Sequence, residues 1–157
     1  MGFDGFCRSS RSMSRMDARL RRTSDSTTKT KEYPMKYVIL IHSNPQPWGH
    51  PTGEFVAETK AMDPAQRERN NAEWEGLLEQ ISASGELLGG EALGDPAHST
   101  LFRWEGEAPL VSEGPYAETK EHLAGFFLLE VESAERAIEI TRGFSGPGET
   151  VELRPLW

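Results

Sequence analysis

The apolar positions of this chain follow two different periods, and the change between them predicts where strands and helices lie. Residues 36–42 are β-branched and nearly all apolar, which predicts a strand, and residues 125–132 show the same pattern. Residues 63–84 predict a helix, with Asp63 as its N-cap and an apolar stripe at i, i+3, i+4 and i+7. The stripe consists of Trp74, Leu77, Leu78 and Ile81.

The remaining segments continue the alternation of strands and helices. Ser133 is expected to cap a second helix, and the glycines and proline within 143–148 are expected to end it. Further strands are predicted at 86–93, 100–105, 109–112 and 150–156. The order is β-α-β-β-α-β, with an extra hairpin element before the fourth main strand. This order predicts an α+β fold, a ferredoxin-like antiparallel sheet with both helices on one face.

The two longest predicted strands carry apolar residues on both of their sides. Phe126 and Leu128 point one way, whereas Phe127, Leu129 and Val131 point the other. Two helices cover only one face of such a sheet, and an antiparallel sheet with its other face in water should alternate cleanly. We therefore expect a second copy of the same sheet to cover the open face, which predicts a homodimer.

Charge is distributed unevenly along the 157 residues. Residues 1–34 carry eight Lys and Arg against four Asp and Glu, a balance of +4, whereas residues 35–157 carry nine against twenty-one, a balance of −12. The folded part should repel phosphate backbones, so we expect no nucleic-acid partner. No run of 18 apolar residues is present and Cys7 is the single cysteine, so we expect no membrane span, no internal disulfide and a cytoplasmic location.

Residues 1–34 are rich in Ser, Thr and Arg and have almost no apolar periodicity. One interpretation is a disordered tail, because such a composition buries too little apolar area to offset its chain entropy. A targeting peptide is the second interpretation, although Asp4, Asp17 and Asp25 weigh against it. The third is that translation begins at Met35, which would place the extension outside the native protein. All three leave 35–157 as the folded domain.

The densest group of ionisable side chains lies in residues 111–127, directly before a predicted strand. The segment contains Glu113-Gly114-Pro115-Tyr116-Ala117-Glu118-Thr119-Lys120-Glu121 and ends in Gly125-Phe126-Phe127. It resembles the signature of the DGPF branch of the YCII-related proteins, with Glu113 in place of an Asp and Tyr116 in place of a Phe. The segment 89–93, Gly-Gly-Glu-Ala-Leu, and the opening at Met35 also resemble chains of that family.

The resemblance covers about residues 35–157 and implies a dimeric α/β barrel, in which two ferredoxin-like sheets pack face to face. Some YCII-type relatives carry a His on the first helix, paired with an Asp for acid–base work. Residues 63–84 contain no His, so that pair cannot be carried over to this chain. Phosphate-binding glycine loops and dinucleotide fingerprints are missing, and His50 and His98 lack metal-site spacing, so no cofactor or metal is expected.

Four residues are candidates for catalysis: Glu113, Glu91, Lys120 and Tyr116. A carboxylate in a partly buried cleft can have its pKa raised enough to act as a general acid or base near neutrality. Lys120 could neutralise a carboxylate or bind an anionic substrate, and the Tyr116 hydroxyl could donate to a developing oxyanion. The alternatives are a solvated, capped turn for the charged residues and a packing role for the Tyr116 ring.

His42 and Glu118 are candidates for substrate binding. His42 shares the parity of Val38 and Leu40, which also fits a hydrogen-bonded structural role. The two glycines before Glu91 indicate a bulge, or a close approach by a ligand or another backbone. A charge exposed to solvent at the edge of the sheet is the alternative interpretation for Glu91.

Two functions of different classes fit these observations. The first is a cofactor-free enzyme that performs acid–base chemistry on a small polar or aromatic metabolite, as the dimeric α/β barrel class implies. The second is a non-catalytic, ligand-sensing or interaction protein, because DGPF-type proteins are often associated with extracytoplasmic-function sigma factors. An enclosed cleft with perturbed carboxylates would favour the enzyme, and a large exposed apolar patch beyond the dimer face would favour the second role.

Overall fold

The computed structural model describes residues 34–157, and the interpretations of the segment before Pro34 lie outside that range. The strands are β1 Met35–Ser43, β2 Leu87–Ala92, β3 Thr100–Glu105, β4 Ala108–Glu113, β5 His122–Val131 and β6 Thr150–Pro155. The helices are α1 Ala57–Lys60, α2 Pro64–Ser84 and α3 Ala134–Phe144, and short 3₁₀ turns lie at Thr52–Glu54 and Pro96–His98.

Four strands form one antiparallel sheet in the order β2-β5-β1-β6, which together with α2 and α3 gives the predicted ferredoxin-like fold. Among the strands of the described chain, β3 and β4 pair only with each other and form a two-stranded ribbon, called the arm below. The arm is inserted before the third strand of the sheet, one strand earlier than predicted. Strand β5 also begins earlier than predicted, at His122, because its pairing with β1 continues past a bulge as far as Ser43.

The two long helices begin and end where the sequence predicts. The Asp63 carboxylate accepts hydrogen bonds from the backbone N–H groups of Ala65 and Gln66, at 3.0 and 3.2 Å, and Gly85 ends α2 in the left-handed conformation. The Ser133 hydroxyl accepts from the backbone of Arg136 and caps α3. Among residues 34–157, no helix is both long enough and apolar enough to cross a membrane.

The core lies between the helices and one face of the sheet. Tyr37, Ile39 and Ile41 point to this face from β1, and Leu129 lies beside Tyr37 on β5. The helices contribute the buried residues Ile81, Ala137, Ile140 and Phe144. The Trp74 ring meets Phe144 edge-on at 6.2 Å, so the predicted apolar stripe of α2 faces α3 as well as the sheet.

The opposite face of the sheet, called the open face below, is apolar at its centre. Val38 lies opposite Leu128, and Leu40 lies opposite Phe126, and all four side chains are half-buried. Residues directly opposite each other on antiparallel strands share a face, so these four form one apolar floor. The prediction that the central strands are apolar on both sides is therefore confirmed.

Strand β2 approaches β5 closely, and glycines make this approach sterically feasible. The pairing shifts register between Leu87 and Gly89, and a Cβ on Gly90 would lie 2.6 Å from the carbonyl oxygen of Phe126. A Cβ on Gly125 would lie 2.9 Å from the carbonyl oxygen of Glu91. Gly89 therefore lies at a bulge, and Gly90 allows the neighbouring backbone to approach closely. This is one of the explanations that the sequence left open for the two glycines.

An ion pair fastens α3 to the connection between α2 and β2. Arg136 donates two hydrogen bonds to Glu86, from Nε to Oε1 at 2.7 Å and from Nη2 to Oε2 at 2.9 Å. About a fifth of each side chain is exposed, 19% and 18%. The guanidinium of Arg136 holds the pKa of Glu86 below its ordinary value, and Glu86 raises the pKa of Arg136.

Candidate functional site

Polar side chains of the open face gather at the end of the sheet from which the arm leaves. One row of residues crosses the four strands on this face. Glu91 of β2 lies opposite Phe126 of β5, Phe126 lies opposite Leu40 of β1, and Leu40 lies opposite Glu152 of β6. The next row holds His42, which lies opposite Leu123 of β5. The spacing between strands puts Glu91 and Glu152 about 14 Å apart. The two carboxylates therefore flank an apolar floor.

His42 and Glu152 form a pair on this face. The ring Nε2 of His42 lies 3.5 Å from Oε2 of Glu152, and the side chains are 30% and 39% exposed. Arg154 donates from Nε to the other oxygen of Glu152 at 2.9 Å. Arg154 first, and His42 after it, lower the pKa of Glu152, so this carboxylate is ionised near neutral pH. A carboxylate beside Nε2 favours a proton there and leaves Nδ1 as an acceptor.

A solvent-open depression of about 400 Å³, called the cavity below, lies at the same end of the sheet; neither His42 nor Glu152 lines it, but Leu123, the residue opposite His42, does. It opens to solvent between the end of β2, the 3₁₀ turn and the start of β5, and its volume falls in the range of small-molecule sites. Leu93 and Leu123 supply apolar walls, and Leu123 is also the residue opposite His42. The remaining lining residues are Gly94, Asp95, Pro96, His98 and Ser99.

The loop at 43–53 fixes one wall of the cavity. The indole N–H of Trp48 donates to the carbonyl oxygen of Leu93 at 3.0 Å, and Nε2 of His50 lies 2.8 Å from the same oxygen. Because a carbonyl oxygen only accepts, this contact places the proton of His50 on Nε2. Two rings from one loop therefore hold the end of β2 in place.

The turn of the motif is attached to the cavity through its backbone. Gly114, whose φ is 101°, donates from its N–H to the carbonyl oxygen of Ser99 at 3.0 Å, and Ser99 lines the cavity. The Tyr116 ring is 78% exposed, and it packs against the guanidinium of Arg103, 5.7 Å from the ring centre. Arg103 also donates to the carbonyl oxygen of Tyr116 at 3.1 Å. The turn is thus held between the arm and the cavity wall.

The sequence candidates fall into two groups in space. His42 and Glu91 lie on the open face, and Glu91 is exposed on the edge strand β2. The other four are exposed, and within the described residues no hydrogen bond or ion pair joins their side chains to Glu91 or His42. These four are Glu113, Tyr116, Glu118 and Lys120.

Sequence reasoning missed Glu152 as the partner of His42, and it missed Asp95 and Ser99 as cavity residues. The pairing register between β1 and β6 identifies Glu152, and no local pattern carries that information. Asp95 does show a local signal, since it precedes Pro96 and caps the 3₁₀ turn by accepting from a backbone N–H at 2.9 Å. Over residues 34–157, no cluster of three or more His, Cys, Asp or Glu side chains suits a metal ion.

Two comparisons with known proteins gave a match to this chain. The profile of the YCII-related domain matches residues 35–155, which is nearly all of the described chain. An uncharacterised protein of Rhizobium meliloti (strain 1021) is 40% identical over 63 residues, which make up 38% of this chain and 50% of that protein. The matched part thus spans about half the length of that relative. The extent of the domain match shows that this chain belongs to the family of proteins with a YCII-related domain.

Proposed function

We propose that this YCII-related domain is a homodimeric, cofactor-free acid–base enzyme of the DGPF-type branch, acting in the cytoplasm on a small polar or aromatic metabolite. One observation carries this proposal: His42, paired with Glu152, lies opposite Leu123, which lines a solvent-open depression of about 400 Å³ at the same end of the sheet. A histidine held by an ionised carboxylate is a common constellation for proton transfer near neutral pH.

His42 takes or returns the proton in this scheme. Glu152 favours the proton on Nε2, so Nδ1 is the nitrogen left to accept a proton from a ligand. When the ring becomes an imidazolium, the negative charge of Glu152 stabilises it, and Arg154 keeps that carboxylate ionised. Glu91, across the apolar floor, is the second group that can exchange a proton with a bound molecule.

The motif turn completes the site from its rim. The bond between Gly114 and Ser99 positions the turn at the cavity, so its side chains can reach a ligand from outside. Lys120 and Tyr116 would stabilise developing negative charge there, and Glu113 and Glu118 would contact polar groups of the ligand. All four are exposed, so they can reorient when a ligand binds.

A second copy of the domain encloses this site. The floor of Val38, Leu40, Phe126 and Leu128 is apolar, and no helix within residues 34–157 covers it, which supports a face-to-face pairing of two sheets. Such pairing removes water from the cavity end of the open face. Proton transfer by His42 then takes place in a medium of lower dielectric constant, where its contact with Glu152 is stronger.

The test is a ligand and turnover screen of the full chain against small phenols, enols, lactones and carboxylates. A ligand at 100 times its dissociation constant raises the free energy of unfolding by about 2.7 kcal/mol, which a thermal-shift assay detects. With a converted ligand, His42→Gln and Glu152→Gln should each lower kcat by about 10²- to 10⁴-fold. Glu113→Gln tests separately whether the motif turn contributes to ligand binding or to turnover.

Glu130→Gln is the matched control, because Glu130 is also a carboxylate of the open face and pairs with Lys36 at 3.4 Å. It should leave turnover unchanged. Turnover that survives both His42→Gln and Glu152→Gln would remove the proposed chemistry.

A non-catalytic role as a ligand-sensing or interaction protein in sigma-factor regulation is the second candidate. The observation that favours it is the arm, where Phe102 and Trp104 are 69% and 71% exposed. A screen compound that stabilises the protein but forms no product over hours would support this role. Detected turnover that depends on His42 would argue against it.

A further inference from the structure

The arm exposes an apolar face that nothing in the described chain covers. Phe102 lies opposite Val111, and Trp104 lies opposite Pro109, so these four residues share one face of the ribbon. Phe102, Trp104 and Val111 are 69%, 71% and 55% exposed. A lone two-stranded ribbon is at best marginally stable in water, and a contiguous exposed apolar patch usually marks an interaction site.

A second exposed apolar group lies at the other end of the sheet. Leu88, at the start of β2, is 50% exposed, and Leu156, just after β6, is 43% exposed. Two exposed cations lie at this end, each paired with a carboxylate of the same face: Lys36 with Glu130 at 3.4 Å, and Arg154 with Glu152. The arm leaves the sheet after Ala92, at the opposite end of β2. We call the group of Leu88, Leu156, Lys36 and Arg154 the Lys36 end.

We propose that the arm of one copy packs on the Lys36 end of a second copy, so that two arms clasp the homodimer. This inference rests on the homodimer of the proposed function. We place a twofold axis between the two open faces, perpendicular to the strands. This axis brings the end of each sheet from which the arm leaves over the Lys36 end of the other sheet. Each contact is then made twice, and the assembly closes at two copies instead of growing into a filament.

The dimensions of the arm also fit. A strand of six residues is about 20 Å long, and the outer strands of a four-stranded sheet are about 14 Å apart, so one arm can span the partner's sheet. At about seven-tenths exposure, Phe102 and Trp104 each leave roughly 100–175 Å² for burial. Two arms and the surfaces that they cover would bury roughly 800–1,400 Å², which reaches the size of a stable interface, about 1,200 Å². The half-buried residues of the open face offer less area on their own.

The first test measures the dimer dissociation constant of the full chain by sedimentation equilibrium. Phe102→Ser with Trp104→Ser should raise that constant by at least about 30-fold, the effect of losing one interface anchor. Leu110→Ser is the control, since Leu110 lies opposite Arg103 on the other face of the arm and is 53% exposed. It should change the constant by less than about threefold. Far-UV circular dichroism checks that each variant folds.

The second test locates the arm on the partner. In a Cys7→Ser background, a tagged Trp104→Cys copy is mixed with an untagged Leu88→Cys copy and treated with a short bismaleimide. The expected product is the cross-linked heterodimer, and Leu110→Cys in place of Trp104→Cys should give little of it. Cross-links only between two Trp104→Cys copies, or a monomer at micromolar concentration, would overturn the inference.

These outcomes separate the arm from the chemistry at His42. A clasped dimer without turnover supports the arm contact and removes the enzyme proposal alone. A monomer that converts a substrate through His42 overturns the arm contact and leaves the acid–base site standing.

Discussion

Glu86→Gln should destabilise the domain, because an amide cannot replace the carboxylate that Arg136 binds. Both oxygens of Glu86 accept from Arg136, and Oε2 also accepts from the Ser84 hydroxyl at 2.8 Å. In either orientation the amide turns one N–H group towards an N–H group of the guanidinium. A hydrogen bond to a charged group contributes about 1.5–3 kcal/mol, so we expect a loss of about 2 kcal/mol in the free energy of unfolding. For a domain of this size the melting temperature should fall by about 6–10 °C.

Glu139→Gln is the matched control, because Glu139 contacts the same guanidinium from an exposed position. Its Oε2 lies 2.9 Å from Nη1 of Arg136, and its side chain is 70% exposed. Exposed pairs three residues apart on a helix contribute about 0.2–0.5 kcal/mol, so this variant should melt within about 2 °C of the parent. Differential scanning calorimetry of both variants decides the matter. Equal melting temperatures for Glu86→Gln and Glu139→Gln would refute the assignment of Glu86 as the anchor.

The same pair has a defined pH dependence. The pKa of Glu86 is lower in the folded protein than its ordinary value of 4.5, so the folded state binds fewer protons on this group. The stabilisation by Glu86 is therefore fully present above pH 4.5 and is lost as the pH falls through the folded pKa. The difference in stability between the parent and Glu86→Gln should be constant near neutral pH and shrink below 4.5.

Three further substitutions test the sheet and the long helix by chemical denaturation. Gly90→Ala should cost about 2 kcal/mol, because the new Cβ would lie 2.6 Å from the Phe126 carbonyl oxygen; Gly94→Ala, with nothing within 4 Å, should be nearly neutral. Gly76→Ala should stabilise α2 by about 0.5–1 kcal/mol, since its Cβ would meet open space inside a helix, and a loss of stability would contradict this. Asp63→Ala should cost about 1 kcal/mol through the lost cap, and an unchanged midpoint would show that the cap contributes nothing.

Local signals in the sequence predict much of the fold. Asp63 and Gly85 mark the ends of α2 because capping depends on the chemistry of single residues. The apolar residues on both sides of β5 predict two apolar faces, because side chains alternate along a strand. The place of the arm was predicted one strand too late, since only pairing shows which strands join the sheet.

The candidate site depends on contacts between residues that are far apart in the chain, so the sequence predicts it less completely than it predicts the fold. The sequence identifies His42 as a residue of the first strand, but its contact with Glu152 depends on how β6 pairs with β1. That register joins strands that lie more than 100 residues apart in the chain, so no local pattern shows it. Likewise, the motif shows which residues of the turn are ionisable, whereas their exposure depends on where the arm carries the chain.

The shared acceptor at Leu93 gives this protein an optical reporter of its own. Leu93 lines the cavity, and its carbonyl oxygen accepts the hydrogen bond of the Trp48 indole. A molecule that displaces Leu93 changes the polarity and the hydrogen bonding around that indole, and its emission shifts in response. Subtracting the emission spectrum of Trp48→Phe removes the contribution of the other three tryptophans. Occupancy of the cavity can then be followed by fluorescence without any attached label.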